Sequence, residues 1–309
     1  MKTRTRSRQL HGNQPTADRP VTDLPPALAA PVEYIHSADA GRIAVYADRS
    51  GSGPPVLLVH SINAAPSSFE VKPVFDRLRG KRPVFSLDLP GFGLSARDDR
   101  RYTPDLFAGA IADVLQQVAG APADVLALSL SAEFAARAAL RAPGRIRSLV
   151  LVSPTGFSAR GLPPPAVGRL VGGLLGMPLW RQRLYDLVAS RSSIRHFLGK
   201  SFHGGVPAEL VDYAYATSHQ PGARHAPLRF LSTLLFTRQA PETLYARLGD
   251  LPVLVIADQD PYVTFERLPG FVVTHANWQH ETLAPHLGMP QWERPEPTMA
   301  ALTQFWQGC

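Results

Sequence analysis

Six short stretches place reactive side chains directly after apolar runs of strand length. They are His60-Ser61-Ile62-Asn63, Asp88-Leu89-Pro90-Gly91, Ser129, Ser153-Pro154, Asp258 to Asp260, and the loop around His286. In an open parallel sheet, ligands bind outside the carboxyl ends of the strands, so these positions matter most. They contain a serine, an aspartate and a histidine in chain order. Such a set can perform acyl transfer: a hydroxyl attacks, an imidazole takes its proton, and a carboxylate orients the imidazole. Ser129 lies in "LALSLSAEF", between the apolar run "ADVLAL" and the alanine-rich run "AEFAARAALRAP". This is the profile of a strand turning sharply into a helix with a serine at the turn. A nucleophile elbow has that layout, but it usually reads G-x-S-x-G, and both glycines are missing here. The plain alternative is that Ser131 caps the helix and Ser129 merely precedes it.

Positioning these residues requires a regular frame, and the sequence predicts one. "RIAVYAD" alternates and is followed by the turn "GSGP". "PVLLVH", "RPVFSLDLPG", "ADVLAL" and "IRSLVLVSP" are near-continuous apolar runs, as expected for strands buried on both faces. Between them lie "FEVKPVFDRLRG", the threonine-capped "TPDLFAGAIADVLQQVAG" and "AEFAARAALRAP", each with helical spacing. The alternation predicts a parallel sheet with helices on both faces. It stops at Gly156. Residues 158–246 read as proline-rich turns and helical pieces with no good strand. It resumes at "LPVLVIADQDP", a possible strand near "HETLA", and a last helix "EPTMAALTQFW". No internal repeat is evident.

From about residue 40 to the end the chain resembles the capped α/β-hydrolases. "VLLVHS", "SLDLPGFGLS", "VLALSLSAEFAARAALRAPGRIRSLVLVSPTGF", "LPVLVIADQDPYV" and "WERPEPTMAALTQFW" stand in that family's order. The resemblance implies an α/β fold: a mostly parallel, doubly wound sheet with an inserted helical cap. Residues 31–157 and 247–309 would form the core and 158–246 the cap.

The same resemblance assigns roles. Glycines flank the family's nucleophile because strand and helix approach closely there. Ala127 and Ser131 are the next smallest residues, which favours Ser129 as nucleophile. If Ser131 were the nucleophile, Glu133 would occupy a flanking position and be too large. The strand followed by G-x-x-D matches "ADQD" with Ala257 for glycine, which points to Asp260 over Asp258. The family's other acid position holds Ser153-Pro154. The base usually sits in G-H-x-P-x-x-E-x-P, and this chain reads "APHLGMPQWERP". Aligned on Pro290, Glu293 and Pro295, the histidine falls on Gly288, with His286 two residues early. Only His275, His280 and His286 follow Asp260, and only His286 is expected in the loop after the last strand. The expectation is an imidazole of His286 reaching both Ser129 and Asp260. The oxyanion hole would use the N–H of Leu130 and, from the loop after the first buried strand, that of Ile62, with Ser61 second. His60 is expected to brace that loop, and Asn63 to shape the turn or supply a donor.

Composition narrows the function classes. The only cysteine is Cys309, so an internal disulfide is impossible and a cysteine-based zinc site implausible. No metal and no cofactor are expected. The net charge is +7 and the pI about 9.8, yet only Lys2, Lys72, Lys81 and Lys200 are lysines. Part of the charge lies in residues 1–30, read as a disordered basic arm. The remainder is dispersed arginine without aromatic interleaving, so nucleic acid is not an expected partner. No apolar run is long enough to span a membrane, and no secretory signal pattern is seen. A cytoplasmic location is expected, with a weak organelle-targeting alternative for the Arg-rich arm. "GFGLSA" loosely fits a dinucleotide fingerprint, but "RDDRRYT" separates it from the next helix, so it reads as a turn. The apolar "GRLVGGLLGMPLW" could touch a membrane, but it is expected instead to line the inner face of the cap.

The expected activity is a serine hydrolase acting through an acyl-enzyme on a hydrophobic ester or related small molecule. Carbon–carbon bond hydrolysis and lipase-like activity stay open. A serine at the elbow argues against the dehalogenase and epoxide hydrolase chemistry that uses aspartate there. The alternative is a binding or accessory protein that kept the fold and lost turnover, since fold alone does not establish catalysis.

Overall fold

A computed structural model describes residues 24–309 apart from residue 178. Eight strands form one sheet: β1 (Val32–Ser37), β2 (Gly41–Asp48), β3 (Val56–Val59), β4 (Val84–Leu87), β5 (Ala123–Leu128), β6 (Ile146–Val152), β7 (Val253–Ile256) and β8 (Trp278–Glu281). Their spatial order is β1-β2-β4-β3-β5-β6-β7-β8. β2 runs antiparallel to both β1 and β4, and every pair from β4 to β8 is parallel. The residues of β3, β4, β5 and β7 are all buried, which is why their sequences are continuous apolar runs rather than alternating ones.

Helices α1 (Lys72–Leu78), α2 (Pro104–Gln117) and α3 (Ser131–Arg141) connect the first parallel strands. The predicted threonine cap of α2 is present: Thr103 Oγ1 accepts from Leu106 N at 3.2 Å. Between β6 and β7 the described chain is helical, with α4 (Pro165–Leu175), α5 (Arg181–Val188), α6 (Arg191–Gly199), α7 (Ala208–Ser218), α8 (His225–Leu231) and α9 (Ala240–Thr243). The chain ends with α10 (Leu268–Thr274) before β8, then α11 (Pro290–Glu293) and α12 (Pro295–Gln307).

Hydrogen bonds tie this helical insert to loops at the carboxyl end of the sheet. Tyr185 of α5 donates to Ala64 O after β3, Arg97 after β4 donates to Thr217 of α7, and Tyr262 after β7 donates to Phe197 O of α6. Ala226, Leu235, Ala240, Leu244 and Tyr245 of the insert belong to the same hydrophobic core as the sheet. Tyr245 is fully buried, stacks on Phe157 and donates to Thr155 O at 3.0 Å.

Two expectations need correction. Residues 1–23 of the expected arm lie outside the described residues, but residues 24–30 are packed. Leu24, Ala27 and Leu28 are buried in the core, and Ala27 N donates to Tyr46 Oη. The apolar residues of α4 are not all turned inward: Val167, Leu170 and Leu174 are exposed. Gly168 and Gly172 form the packed face, so close to the turn after α8 that a Cβ on Gly168 would lie 2.7 Å from Ser232 O.

Candidate active site

Backbone hydrogen bonds across the carboxyl end of the sheet set the candidate residues side by side. Ser129 N donates to Val152 O at 2.8 Å, Ser153 N to Ile256 O at 2.9 Å, and Ala257 N to Glu281 O at 3.1 Å. The turns after β5, β6 and β7 therefore form a row carrying Ser129, Ser153 and Asp258 to Asp260.

Ser129 occupies the left-handed region at φ +52°. A non-glycine residue there is uncommon and marks a strained turn. The strain fits the sequence: β5 must end and α3 begin within two residues. Ala127 in β5 and Ser131 at the start of α3 are both fully buried. Ser131 does not act as a side-chain cap of α3. Its buried hydroxyl donates to His60 O at 2.6 Å, stapling the elbow to the loop after β3. Glu133, the residue judged too large for a flanking position, is buried beneath the elbow. Its carboxylate accepts from Thr155 Oγ1 and from Thr237 N at 2.6 Å, while burial pushes its pKa up.

The loop after β3 is held by a residue that the sequence reading did not single out. Glu70, 3% exposed, accepts from Ser61 N (2.8 Å), Ser61 Oγ (3.1 Å) and Asn63 Nδ2 (2.9 Å). This corrects the place of Ser61: its N–H is already engaged and is not free for an oxyanion. No described residue accepts from the N–H of Ile62 or of Leu130, both of which are buried. Asn63 shapes the turn, with Oδ1 accepting from Ala65 N. His60 is fully buried, accepts from Leu89 N at Nε2 (2.9 Å) and donates from Nδ1 to Ser61 O (2.7 Å). Burial pushes its pKa down, which keeps this neutral tautomer. It is a brace between two loops. The "GFGLSA" segment is a turn wrapped on Asp88, whose Oδ2 accepts from Leu94 N at 2.8 Å.

At the acid position, Asp260 Oδ1 accepts from Tyr262 N (2.8 Å) and Val263 N (3.1 Å). Burial raises its pKa to about 6, against the pull of these N–H groups and the nearby Ser153 hydroxyl. Asp258 instead holds the later loop, with Oδ2 accepting from His286 N at 3.2 Å.

Among the described residues no hydrogen bond joins His286 to Asp260 or Ser129. Gly288 stands at the acid instead, as the ungapped spacing to Pro290 and Glu293 requires. It adopts φ +101°, and a Cβ built on it would fall 2.4 Å from Asp260 Oδ2 and 3.8 Å from Ser153 Oγ. His286 is buried in the neighbouring turn. Its Nδ1 accepts from Gly288 N at 3.2 Å. Burial holds its pKa down, with the carboxylates of Asp258 and Glu293 opposing. Glu293 pins this arrangement, accepting from Leu287 N (2.8 Å) and from His203 N of the insert (2.7 Å). The other two histidines are elsewhere: His280 Nε2 bonds Ala257 O just after β7, and His275 stacks on Phe271. Two buried polar atoms beside the row, Ser153 Oγ and His286 Nε2, make no well-formed hydrogen bond among the described residues, although Ser153 lies near the Asp260 carboxylate and the backbone of Thr282 lies near the His286 ring. Among the described residues, no group of three or more His, Cys, Asp or Glu is arranged to hold a metal ion.

Residues 56–301 match the model of the alpha/beta hydrolase family. The chain is 31% identical over 135 residues to a 2-(acetamidomethylene)succinate hydrolase of Mesorhizobium japonicum, covering 44% of this chain and 48% of that protein. It is 32% identical over 126 residues to an esterase of Mycobacterium tuberculosis, covering 40% of this chain and 41% of that one. These alignments span under half the length of the curated relatives. Among solved structures, a serine hydrolase involved in carbazole degradation superposes with a TM-score of 0.73 at 17% identity, over 91% of this chain and 100% of that chain. E-2-(acetamidomethylene)succinate hydrolase superposes with a TM-score of 0.66 at 18% identity, over 89% and 98%. At those identities the superpositions speak for the fold alone.

Proposed function

Because the chain belongs to the alpha/beta hydrolase family, we propose that it hydrolyses an ester or related acyl compound of a small apolar molecule, with Ser129 as nucleophile and the helical insert as a cap over the site. The observation that supports this most is the pairing of Ser129 at φ +52° with the N–H groups of Leu130 and Ile62, from which no described residue accepts. An elbow residue held in that conformation exposes its hydroxyl, and unengaged N–H groups are what a developing oxyanion needs.

In this reading Ser129 Oγ attacks the carbonyl carbon and its proton passes to His286. The tetrahedral oxyanion rests on Leu130 and Ile62. His286 then protonates the leaving group, and water, activated by the same imidazole, releases the acid from the acyl-enzyme. His286 reaches this post only when the turn around it rearranges and brings the imidazole toward Ser129 and Asp260. That movement breaks the bonds of Gly288 N to His286 and of Leu287 N to Glu293. It gives Nε2 a use and Asp260 a cationic partner. The names of the relatives, a hydrolase and an esterase, favour acyl chemistry over a purely structural role.

Gly288 against Asp260 favours a second reading, a ligand-binding protein without turnover. A fluorophosphonate probe separates the two. The hydrolase reading expects labelling of wild type and Ser131→Ala, and none of Ser129→Ala or His286→Ala. Absence of labelling in the wild type, with an apolar ester still bound, establishes the second reading.

A further inference from the structure

We infer that the outer face of the insert, along α4 and into α5, is a docking surface for an anionic lipid bilayer. Val167, Leu170, Leu174 and Met177 follow one another at helical spacing, and their exposures are 45%, 66%, 47% and 39%. The opposite face of α4 is spent on packing, through Gly168 and Gly172 against the end of α8. The stripe is therefore outside the fold's own core. It is extended by Trp180, whose indole N–H donates to Leu174 O at 2.9 Å and so lies at the end of α4, and by Leu179, 79% exposed. Isolated exposed leucines are ordinary, but a contiguous row with a tryptophan at its end marks an interaction site.

Charge decides the occupant. Residues 169–195 hold five arginines and one acid, Asp186, a net of +4 that falls to +2 once Asp99 and Asp212, which pair with two of the arginines, are counted. Arg181 and Arg191 have acidic partners in Asp99 and Asp212. Arg169, Arg183 and Arg195 are exposed and form no ion pair among the described residues. A symmetric contact between two copies would press this cationic patch onto itself, because a twofold interface pairs the same surface from both partners. A phospholipid surface with acidic headgroups accepts both parts: acyl chains take Leu170, Leu174 and Leu179, and headgroups neutralise the arginines. No helix among the described residues is long and apolar enough to cross a membrane, so the contact lies in the interface plane. The inference is independent of the serine chemistry.

The test is co-sedimentation of the full chain with vesicles of phosphatidylcholine alone or mixed equally with phosphatidylglycerol. The protein is expected to pellet with the mixed vesicles and not with phosphatidylcholine alone, and high salt should weaken the association. Arg183→Gln should lower the partition coefficient roughly fivefold. Leu170→Asp combined with Leu179→Asp should abolish pelleting while leaving the urea midpoint unchanged, since both sites are exposed. Lys81→Gln, at the amino end of the sheet, should change nothing. Equal pelleting of the double variant and wild type overturns the inference, as does failure of wild type to pellet. So does a wild-type dimer in sedimentation equilibrium that the double variant converts to monomer, which assigns the stripe to a second copy.

Discussion

Gly288 lies so close to Asp260 that any side chain at 288 would collide with the carboxylate, its Cβ falling 2.4 Å from Oδ2. The backbone at φ +101° adds a second reason for glycine. Gly288→Ala should therefore destabilise the protein by about 1–3 kcal/mol, read from the urea midpoint. Shortening the acid removes only the steric part. Asp260→Ala combined with Gly288→Ala should lose less than the sum of the single changes, and strict additivity would show that the two residues do not meet.

The strain at Ser129 predicts a stability gain at the cost of the hydroxyl. Ser129→Gly relieves a left-handed non-glycine residue at φ +52° and should stabilise the fold by about 1 kcal/mol relative to Ser129→Ala. Ser131→Ala should do the opposite. It removes the hydroxyl bonded to His60 O, with an expected loss of about 1 kcal/mol. Thermal midpoints of the three variants measure both effects.

Asp260 gives a pH dependence of definite sign. Its pKa is raised from 3.8 to about 6 by burial. The folded state thus holds a proton that the unfolded state has released between those values. Stability from this group is highest in acid, falls as pH rises from about 4 to 6, and is flat above. The difference in unfolding free energy between wild type and Asp260→Asn should follow that curve, whereas a difference independent of pH would mean that the carboxyl is unperturbed.

Glu70 should act on rate more than on binding. It fixes Ser61 and Asn63, the residues on either side of Ile62. Glu70→Ala frees that loop and strands three donors, so kcat for a model ester should fall by about a hundredfold, the scale of one lost oxyanion donor. KM should change little. A matching rise in KM with kcat intact would assign Glu70 to substrate binding instead.

The sheet was legible in the sequence wherever strands are buried on both faces, because burial writes a continuous apolar run. β1 was not: it is an antiparallel edge strand with a mixed, half-exposed pattern in "VEYIHS". α10 was hidden for another reason. "LPGFVVT" contains Pro, Gly and two valines, all poor helix formers, and its place is set by aromatic packing of Phe271 on Trp278. At the site, spacing alone foretold that Gly288 aligns with the base position. It did not foretell that the buried His286 would be left without a well-formed hydrogen bond at Nε2, because that depends on Asp258 and Glu293 holding the turn from two sides. The engagement of Ser61 by Glu70 is likewise a tertiary fact. The apolar character of α4 was legible in the sequence, yet the glycines within it decided which face would be covered.

The packed segment that begins the described chain bears on how the protein is made. Tyr213 in α7 donates to Pro25 O at 2.8 Å, a contact spanning 188 residues. A ribosome adding roughly 5–20 residues per second needs on the order of ten to forty seconds between the two partners. Through that interval Leu24, Ala27 and Leu28 have emerged while the helix that helps seat them does not yet exist. Nascent chains are then open to chaperone capture and to proteolytic nicking at this end, and both should subside once Tyr213 has cleared the exit tunnel.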